Sequence, residues 1–359
     1  MGKYKIAVIP GDGIGKEVID EGVKVLKIIA ANHPDLSFVF DYFPWGCEYY
    51  LQHQEMMPKD GMEILKGYDA IYLGAVGDPR VSDSLSLREL LLRIRKEFDQ
   101  YINLRPIKLL KGITNPLANV SADDIDMIFI RENSEGEYYG SGAWLYPNTP
   151  NEVVIQNGVF SRFGCERVMR YAFELASKEK RTLTSISKGN ALNYSMVFWD
   201  QIFNEMKSSY PNVETHTCLV DAASMYMVSD PRRFQIVVTS NLFGDILTDL
   251  GAAITGGMGI AAGANLNPER KFPSMFEPIH GSAPSIAGKK IANPIAAIIS
   301  ASQMLDHLGY PLQATEIVRA VETVLMAKQF RTPDLGGKSS TSEVGEAIAQ
   351  LLISKRNEL

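Results

Sequence analysis

The sequence predicts an α/β protein, because short apolar strands alternate with amphipathic helices along the chain. The strand-like runs lie at 6–9, 70–73 and 127–130. Helical periodicity follows them at 16–32, 85–98 and 165–178. The C-terminal region is mostly helical, over 291–308 and 314–328, and Ser340 with Glu343 has the spacing of a capping box before a last helix. This order of elements predicts helices that cover a sheet.

Length and composition limit the class of protein. The chain has 359 residues, of which 45% are hydrophobic, so it is long enough for two domains with sizeable cores. Because no Gly/Ser linker divides it, two domains would have to share the chain discontinuously. The net charge of −6 argues against a general nucleic-acid binder or a basic membrane-surface protein. Any attraction for anions is therefore expected to be local.

Cysteine usage and hydropathy bear on the compartment. The three cysteines, Cys47, Cys165 and Cys218, are odd in number and lack CxxC spacing, so they indicate neither a disulfide framework nor a zinc cluster. The sequence contains no run of 18 apolar residues, and it enters a strand at once. We therefore expect a cytoplasmic protein.

Two aspartates follow the apolar stretch 234–239. Asp245 and Asp249 stand four residues apart, so on a helix they point the same way and repel each other by a few tenths of a kcal/mol. A divalent ion such as Mg²⁺ or Mn²⁺ explains the pair best, since hard cations take carboxylate ligands. Two solvated aspartates on an exposed turn are the alternative.

A glycine loop, Gly11-Asp12-Gly13-Ile14-Gly15, lies between the first strand and the first helix. This is the context of a phosphate-binding loop, but the spacing is GxGxG and not GxGxxG. A structural turn explains it equally well. The loop does not predict a standard Rossmann fold.

Several arginines are candidates for recognising an anion. Helical spacing puts Arg88, Leu91, Leu92 and Arg95 on one face of 85–98, a mixture that solvation does not explain well. Arg105 and Arg131 add two more guanidinium groups. Arginine binds carboxylates through two parallel hydrogen bonds, so convergence of such residues in an acidic protein predicts a di-acid substrate. Taken singly, each arginine also fits a structural ion pair.

Four segments carry a resemblance to a known family: 103–106 (NLRP), 131–138 (RENSEGEY), 240–249 (SNLFGDILTD) and 277–284 (EPIHGSAP). They resemble, in order, motifs of the β-decarboxylating dehydrogenases, which include isopropylmalate and isocitrate dehydrogenases. The similarity extends from Ile6 to the last helix. Within the family, 90–105 and 264–270 are most similar to the branch of tartrate and decarboxylating D-malate dehydrogenases.

The resemblance implies a two-domain isopropylmalate-dehydrogenase-like α/β fold with a large mixed sheet flanked by helices. It implies a discontinuous cofactor-binding domain over 1–101 and 257–359. Residues 102–256 would form an inserted domain that carries the metal ligands, Lys188 and the interface of a homodimer. The active site would be shared between the two subunits.

Roles carried over residue by residue agree with the patterns above. The resemblance implies that Asp245 and Asp249 bind Mg²⁺ or Mn²⁺ together with Asp221 of the partner subunit. It also makes K⁺ a candidate for a further ion that the enzyme uses. The metal would act as a Lewis acid on the C2 hydroxyl. The substrate carboxylates would be bound by Arg95, Arg105 and Arg131.

The same resemblance implies two groups that transfer protons. Lys188, from the partner subunit, would take the hydroxyl proton, and Tyr138 would protonate the enol that remains after CO₂ leaves. Without the resemblance, Lys188 would pass for a surface lysine and Tyr138 for a core tyrosine.

The resemblance also implies a nicotinamide dinucleotide site, to which His280 and Asn293 contribute on the adenosine side. Its residues would be Ile14, His280, Gly281, Ser282, Ala283, Ser285 and Asn293. Relatives that use NAD usually have aspartate where this chain has Ser285, which removes the group that repels a 2′-phosphate. The Lys-Tyr pair typical of NADP-dependent isocitrate enzymes is also absent, so NAD is favoured over NADP.

The expected reaction is NAD- and metal-dependent oxidation of a 2-hydroxy di-acid, with D-malate giving pyruvate and CO₂ and tartrate as a further substrate. By the resemblance, Arg88 occupies the position at which family members contact the substituent on C3 of the substrate. An inward Arg88 would favour isocitrate or homoisocitrate, whereas a solvent-facing Arg88 would leave malate and tartrate as the expected substrates. Isopropylmalate fits worst, because an unpaired guanidinium beside an isopropyl group is costly. From another class, a non-catalytic metabolite-binding protein of the same fold is the alternative.

Overall fold

The computed structural model describes residues 2–356, so Met1 and 357–359 of the predicted cofactor-binding domain lie outside the described residues. Its strands are β1 Gly2–Gly11, β2 Leu36–Tyr42, β3 Ala70–Ala75, β4 Ile102–Lys108, β5 Asp126–Glu132, β6 Gly136–Leu145, β7 Val153–Val159, β8 Leu183–Ser187, β9 Thr215–Leu219, β10 Ile236–Thr239, β11 Ala262–Leu266 and β12 Ser274–Pro278.

The helices alternate with these strands, as the sequence predicts. They are α1 Gly15–Asn32, α2 Cys47–His53, α3 Gly61–Leu65, α4 Asp83–Ser86, α5 Leu92–Glu97, α6 Arg162–Glu179, α7 Ser195–Met206, α8 Val220–Ser229, α9 Asn241–Thr255, α10 Ile295–Leu308, α11 Pro311–Ala327 and α12 Thr341–Arg356. A π-helical turn, Leu87–Leu91, joins α4 to α5.

The chain divides into two compact units. Unit 1 consists of the described residues up to Gln100, Lys108–Asp123, and the described residues from Ala252 onward. Unit 2 consists of Tyr101–Ile107 and Asp124–Gly251. The assignment of cofactor binding to one domain and metal binding to the other stays a prediction.

Unit 1 holds five strands in the order β2-β1-β3-β12-β11. The pairs β1–β2, β1–β3 and β3–β12 are parallel, whereas β11 and β12 are antiparallel. All six residues of β3 are buried, as expected for a strand covered on both faces. Tyr72, at the centre of β3, is fully buried and donates a hydrogen bond to the carbonyl of Ala297 at 2.6 Å.

Unit 2 holds five strands in the order β4-β5-β10-β8-β9. Strand β10 is parallel to both β5 and β8, and β8 is parallel to β9. Because the strands of a parallel sheet end at one edge, the residues after β5 and β10 are brought close together there. A separate antiparallel ribbon, β6–β7, completes the unit. The predicted α/β class with a mixed sheet flanked by helices is confirmed.

Three details differ from the sequence prediction or refine it. Helix α10 begins at Ile295 and not at 291, because Pro294 disfavours helical backbone in the residue before it. The predicted capping box is present, since Ser340 N donates to Glu343 Oε2 at 2.7 Å and Glu343 N donates to Ser340 Oγ at 3.3 Å. The predicted common face of Arg88 and Arg95 is wrong, because a π-helical turn separates them.

The π-helical turn follows from the spacing of buried residues. Ser86, Leu90, Ile94 and Phe98 are at most 1% exposed and recur every four residues. An α-helix has 3.6 residues per turn, so a strict four-residue repeat drifts around it unless one turn is widened. The wider turn keeps the apolar stripe on the core and leaves Arg88 exposed while Arg95 is buried.

No helix among residues 2–356 is long and apolar enough to cross a membrane. The three cysteines are free, as the sequence predicts.

Replacement of Gly22 by alanine tests the packing of α1 on β3. A Cβ atom at Gly22 would lie 1.8 Å from Tyr72 Oη, whose position is fixed by its hydrogen bond. We expect Gly22→Ala to lower the free energy of unfolding by about 1–3 kcal/mol in chemical denaturation. Gly67→Ala is the matched control, because its nearest neighbour would be 3.4 Å away. Equal stability of both variants would contradict this packing.

Candidate active site

Helix α9 presents the two predicted acidic residues of unit 2. It begins at Asn241, directly after β10, and places Asp245 and Asp249 one turn apart. Both side chains are partly exposed, at 38% and 60%. The fully buried Leu247 lies between them in sequence and holds the other side of the helix against the core.

Two arginines of unit 2 contact these carboxylates. Arg131 is the next-to-last residue of β5 and is only 2% exposed, and its Nη1 binds Asp245 Oδ1 in an ion pair. Arg105, on β4, is 5% exposed and lies 3.5 Å from Asp245 Oδ1 and 3.8 Å from Asp249 Oδ1. The structure therefore brings four of the predicted site residues together.

Tyr138 joins this cluster from β6. Its hydroxyl donates a hydrogen bond to Asp245 Oδ2 at 2.9 Å, and the Arg131 guanidinium lies 5.4 Å from the centre of its ring. Partial burial and the charge of Asp245 raise the pKa of Tyr138 above its ordinary value. The phenol therefore retains its proton over a wide pH range, which suits a proton donor.

The two aspartates differ in their electrostatic surroundings. Burial acts to raise the pKa of Asp245, but Arg131, Arg105 and the hydrogen bond from Tyr138 outweigh it and lower that pKa. For Asp249, burial outweighs the attraction of Arg105, and the charge of Asp245 adds to it, so the pKa is raised. One strongly anionic carboxylate thus stands beside a second whose charge is less well compensated.

The donor set of α9 fits Mg²⁺ or Mn²⁺. Two carboxylates on one helix face are hard oxygen ligands, and Mg²⁺ is usually bound through one or two carboxylates with the remaining positions left to water and substrate. No three His, Cys, Asp or Glu side chains of residues 2–356 are grouped so that they could hold a metal ion. A third carboxylate would therefore come from elsewhere, as the resemblance expects for the partner subunit's Asp221.

Lys188 and Asp221 form a separate pair in unit 2. Lys188 follows β8 and Asp221 opens α8, and Lys188 Nζ donates to Asp221 Oδ1 at 2.7 Å. This hydrogen bond lowers the pKa of Asp221. Within the described part of the chain, no hydrogen bond or ion pair joins either residue to Asp245 or Asp249.

Arg95 lies in unit 1, at the end of α5. Arg95 and Glu277 of β12 are both nearly buried, and Arg95 Nη2 donates to Glu277 Oε1 at 2.7 Å. Asn265 of β11 donates to the same oxygen at 2.7 Å. Because this pairing fixes the guanidinium, Arg95 fits both a structural role and the predicted binding of a substrate carboxylate.

Arg88 lines a cavity of unit 1 with a volume of about 490 Å³. Among residues 2–356 it takes part in no hydrogen bond or ion pair, and it is exposed. The same cavity is lined by Tyr50, Gln54, Lys59 and Glu89. Its predicted role in substrate binding stays a prediction.

The residues predicted to bind the cofactor come together at one loop of unit 1. Ile14 N donates to Ser282 O at 2.9 Å, and a Cβ at Gly13 would lie 2.0 Å from the same oxygen, so the glycine loop is packed against Ser282. Ala283 has φ 42°, a conformation uncommon for a residue with a side chain. Gly281 and Ser285 are exposed beside it.

Asp12 shows why this glycine loop keeps its shape. Its buried carboxylate accepts hydrogen bonds from Cys47 N at 2.9 Å, Gly77 N at 3.0 Å and Glu48 N at 3.4 Å. The side chain thereby joins three segments of unit 1. The loop has a structural function, whatever it binds.

His280 and Asn293 differ in how well their polar atoms are satisfied. His280 Nε2 is buried and has no partner among residues 2–356, while burial lowers the pKa of the ring. A buried polar atom of this kind usually has a partner, so it fits a hydrogen bond to an adenosine group. Asn293 instead donates to Asp334 at 3.0 Å and accepts from Ile295 N at 3.0 Å, which also gives it a structural role at the start of α10.

Sequence reasoning missed three residues of these clusters. Asn241 and Thr248 of α9 accept hydrogen bonds from Arg131 and Arg105, and Glu277 pairs with Arg95. The signal was available for the first two, because 241, 245, 248 and 249 share one face of a helix. Glu277 had no such signal, since its partner is 182 positions away.

Similarity to known proteins identifies the family of this chain. A sequence profile of the family described as isocitrate/isopropylmalate dehydrogenase matches residues 5–348. The chain belongs to this family. The predicted resemblance is therefore confirmed.

Individual relatives of this dehydrogenase family member cover nearly its whole length. A protein of Pseudomonas putida named tartrate dehydrogenase/decarboxylase is 50% identical over 97% of this chain and 98% of its own. A protein of Escherichia coli strain K12 named D-malate dehydrogenase (decarboxylating) is 49% identical over 98% of this chain and 99% of its own. The crystal structure of isocitrate dehydrogenase from Methylococcus capsulatus has a TM-score of 0.88 at 34% identity, over 97% of this chain and 99% of that one.

Removal of the Glu277 carboxylate tests the buried pair of unit 1. Glu277→Ala leaves the Arg95 guanidinium buried without its counter-ion, so we expect the free energy of unfolding to fall by about 3–5 kcal/mol. Glu63→Ala is the control, because its pair with Lys66 is exposed and should contribute less than about 1 kcal/mol. Urea denaturation of both variants measures the difference, and a loss no larger than that of the control would show that Arg95 needs no partner.

Proposed function

We propose that this chain catalyses the NAD- and divalent-metal-dependent oxidation of a 2-hydroxy di-acid, with D-malate converted to pyruvate and CO₂ and tartrate as a further substrate. The observation that carries the proposal is the cluster of Arg105, Arg131, Tyr138, Asp245 and Asp249, which combines carboxylate-binding, proton-donating and metal-binding groups. The relatives named tartrate dehydrogenase/decarboxylase and D-malate dehydrogenase, at 49–50% identity over at least 97% of this chain, support the choice of substrate.

The arginines bind and orient the substrate. Arg131 donates to Asn241 through Nε and Nη2, and Arg105 donates to Thr248 through Nη1, so Nη1 of Arg131 and Nη2 of Arg105 are left to face the carboxylates. Both guanidinium groups are nearly buried, so their attraction for an anion is little screened by water. Arg105 and Arg131 lie on adjacent strands whose order is fixed by the sheet. Arg95 of unit 1 stays a prediction as a third carboxylate-binding residue.

NAD, held at the loop of Ile14 and Ser282, would supply the hydride acceptor, and a divalent ion held by Asp245 and Asp249 would supply Lewis acidity. The protein residues manage the protons. Lys188, once it has lost its own proton, takes the proton of the substrate hydroxyl, and Asp221 lies 2.7 Å from its Nζ. Tyr138 delivers its proton to the carbon that CO₂ has left; its raised pKa keeps the phenol protonated until that step.

A homodimer with shared active sites is part of the proposal. The family resemblance, which implies that the partner subunit supplies Lys188 and Asp221, is the reason for this part of the proposal. The ribbon β6–β7 also exposes large apolar side chains, with Trp144 at 66% and Val154 at 61%. Exposed apolar patches of this kind mark protein interfaces.

Arg88 bears on a second substrate class. An Arg88 directed into the site would favour isocitrate or homoisocitrate, but Arg88 is exposed and is separated from the buried Arg95 by the π-helical turn. Its exposed position therefore supports D-malate and tartrate as substrates. A non-catalytic binding protein is disfavoured, because it would have no need for a base, an acid and a metal site together.

A substrate panel tests the proposal. Purified protein with Mn²⁺ and K⁺ would be supplied with NAD or NADP and, in parallel, with D-malate, tartrate isomers, isopropylmalate and isocitrate. We expect NADH formation to be fastest with D-malate or tartrate. Fastest turnover of isocitrate would assign Arg88 to a third carboxylate and refute the substrate proposed here, and no turnover of any compound would refute the enzyme itself.

Lys188→Met tests the proposed base. Methionine has nearly the length of lysine but cannot accept a proton, so we expect kcat for D-malate to fall by about 10²–10⁴-fold. Binding of NADH, followed by its fluorescence, should be unchanged. Lys178→Met, at an exposed position of α6, is the control that should keep full activity. Retained turnover in Lys188→Met would exclude this lysine as the base.

A further inference from the structure

One face of α9 alternates neutral and charged hydrogen-bond acceptors. Asn241, Asp245, Thr248 and Asp249 lie on this face because they are three to four residues apart. Arg131 contacts Asn241 and Asp245, and Arg105 contacts Thr248 as well as both aspartates. Each arginine is therefore held by one neutral oxygen and by at least one carboxylate of the same helix.

Arg131 makes two hydrogen bonds to Asn241, whereas Arg105 makes one to Thr248. Asn241 Oδ1 accepts hydrogen bonds from Arg131 Nε at 2.9 Å and from Nη2 at 2.7 Å. Both side chains are buried, with exposures of 3% and 2%. Two bonds to one acceptor fix the plane of the guanidinium and leave Nη1 directed at Asp245.

The remaining polar atom of Asn241 fixes the orientation of the amide. Its Nδ2 donates to the carbonyl of Glu135 at 3.1 Å. Glu135 lies in the turn between β5 and β6, and Glu132 stabilises this turn by accepting from Ser134 N at 2.8 Å and Glu135 N at 2.9 Å. Asn241 thus connects Arg131, at the end of β5, to the segment that leads to Tyr138.

A neutral acceptor has a consequence that a carboxylate would not have. The amide oxygen fixes Arg131 by hydrogen bonds without cancelling its positive charge. Asp245 does cancel it, but Asp245 is also the residue expected to bind a divalent cation. If a cation engages Asp245, the two hydrogen bonds to Asn241 still hold the guanidinium in position, and its charge can then act on a substrate carboxylate.

We propose that Asn241 is a positioning residue that holds Arg131 fixed and cationic while Asp245 changes partner from the arginine to the divalent cation. Thr248 has the same function for Arg105, whose Nη1 donates to Thr248 Oγ1 at 2.5 Å while that hydroxyl donates to Gly244 O at 2.8 Å. This inference rests on the proposed function, because it assumes that Arg131 binds a di-acid once Asp245 has engaged the cation.

Asn241→Asp is the sharpest test, because the shape is kept and only charge and donor capacity change. A carboxylate at this position would neutralise Arg131 and would face the carbonyl of Glu135 without a proton to donate. We expect the KM for D-malate to rise at least about tenfold, with a smaller effect on kcat, because carboxylate binding is weakened. Asn204→Asp, at an exposed position of α7, makes the same charge change and should leave KM within about twofold.

A purely structural role of Asn241 would give a different pattern. The melting temperature would fall and the active fraction would shrink, but the surviving enzyme would keep its KM. An unchanged KM in Asn241→Asp would therefore overturn the inference.

A crystal structure of the wild-type protein with Mn²⁺ alone gives a second test, which needs neither a variant nor turnover. We expect Mn²⁺ at Asp245 and Asp249, with both bonds from Arg131 to Asn241 Oδ1 retained. Movement of Arg131 away from Asn241, or absence of Mn²⁺ from Asp245, would overturn the inference. If the wild type oxidises none of the hydroxy di-acids, the proposed function fails, and this structure still decides the role of Asn241.

Discussion

The buried guanidinium of Arg131 is the constraint on which the rest of the site depends. A charge that is only 2% exposed is very costly unless it is paired and hydrogen-bonded, so the elements around it must supply partners. Helix α9 supplies two of them, Asn241 and Asp245, and it can do so only by close approach. A Cβ atom at Gly244 would lie 2.6 Å from Arg131 Cγ, so glycine is required where the helix passes over the arginine. The spacing Asn-x-x-Gly-Asp therefore has one physical explanation.

The same constraint explains why charged groups are concentrated at one edge of the sheet in unit 2. Arg131 is the next-to-last residue of β5 and pairs with Thr239 at the end of β10, so it lies beside the start of α9. Asp245 and Asp249, which balance the arginines, stay partly exposed, whereas the arginines are nearly buried. The carboxylates are therefore the more accessible groups of the cluster. This arrangement suits a site in which a cation and an anion enter from the same side.

Sequence patterns predicted the features of the fold and of the site that depend on the spacing of residues close together in the chain. The helix of Asp245 and Asp249, the strand that carries Arg131 and the capping box at Ser340 all follow from periodicity and residue type. The partners of the arginines do not, because Arg131 and Asn241 are 110 positions apart and Arg95 and Glu277 are 182 apart. The π-helical turn that separates Arg88 from Arg95 has a signal in the sequence, the four-residue repeat of Ser86, Leu90, Ile94 and Phe98. A helix of 3.6 residues per turn cannot keep such a repeat on one face.

Charge balance connects the arrangement of unit 2 to the proposed reaction. Arg105 and Arg131 are formally neutralised by Asp245 and Asp249, so the cluster has no net charge before any ligand binds. A divalent cation alone would leave two uncompensated positive charges in a partly buried site, and a di-acid alone would leave two negative ones; both states are penalised. The two ligands together restore neutrality, because the cation takes the carboxylates and the di-acid takes the arginines. The geometry therefore favours mutual dependence of metal and substrate binding, in which each ligand increases the affinity for the other.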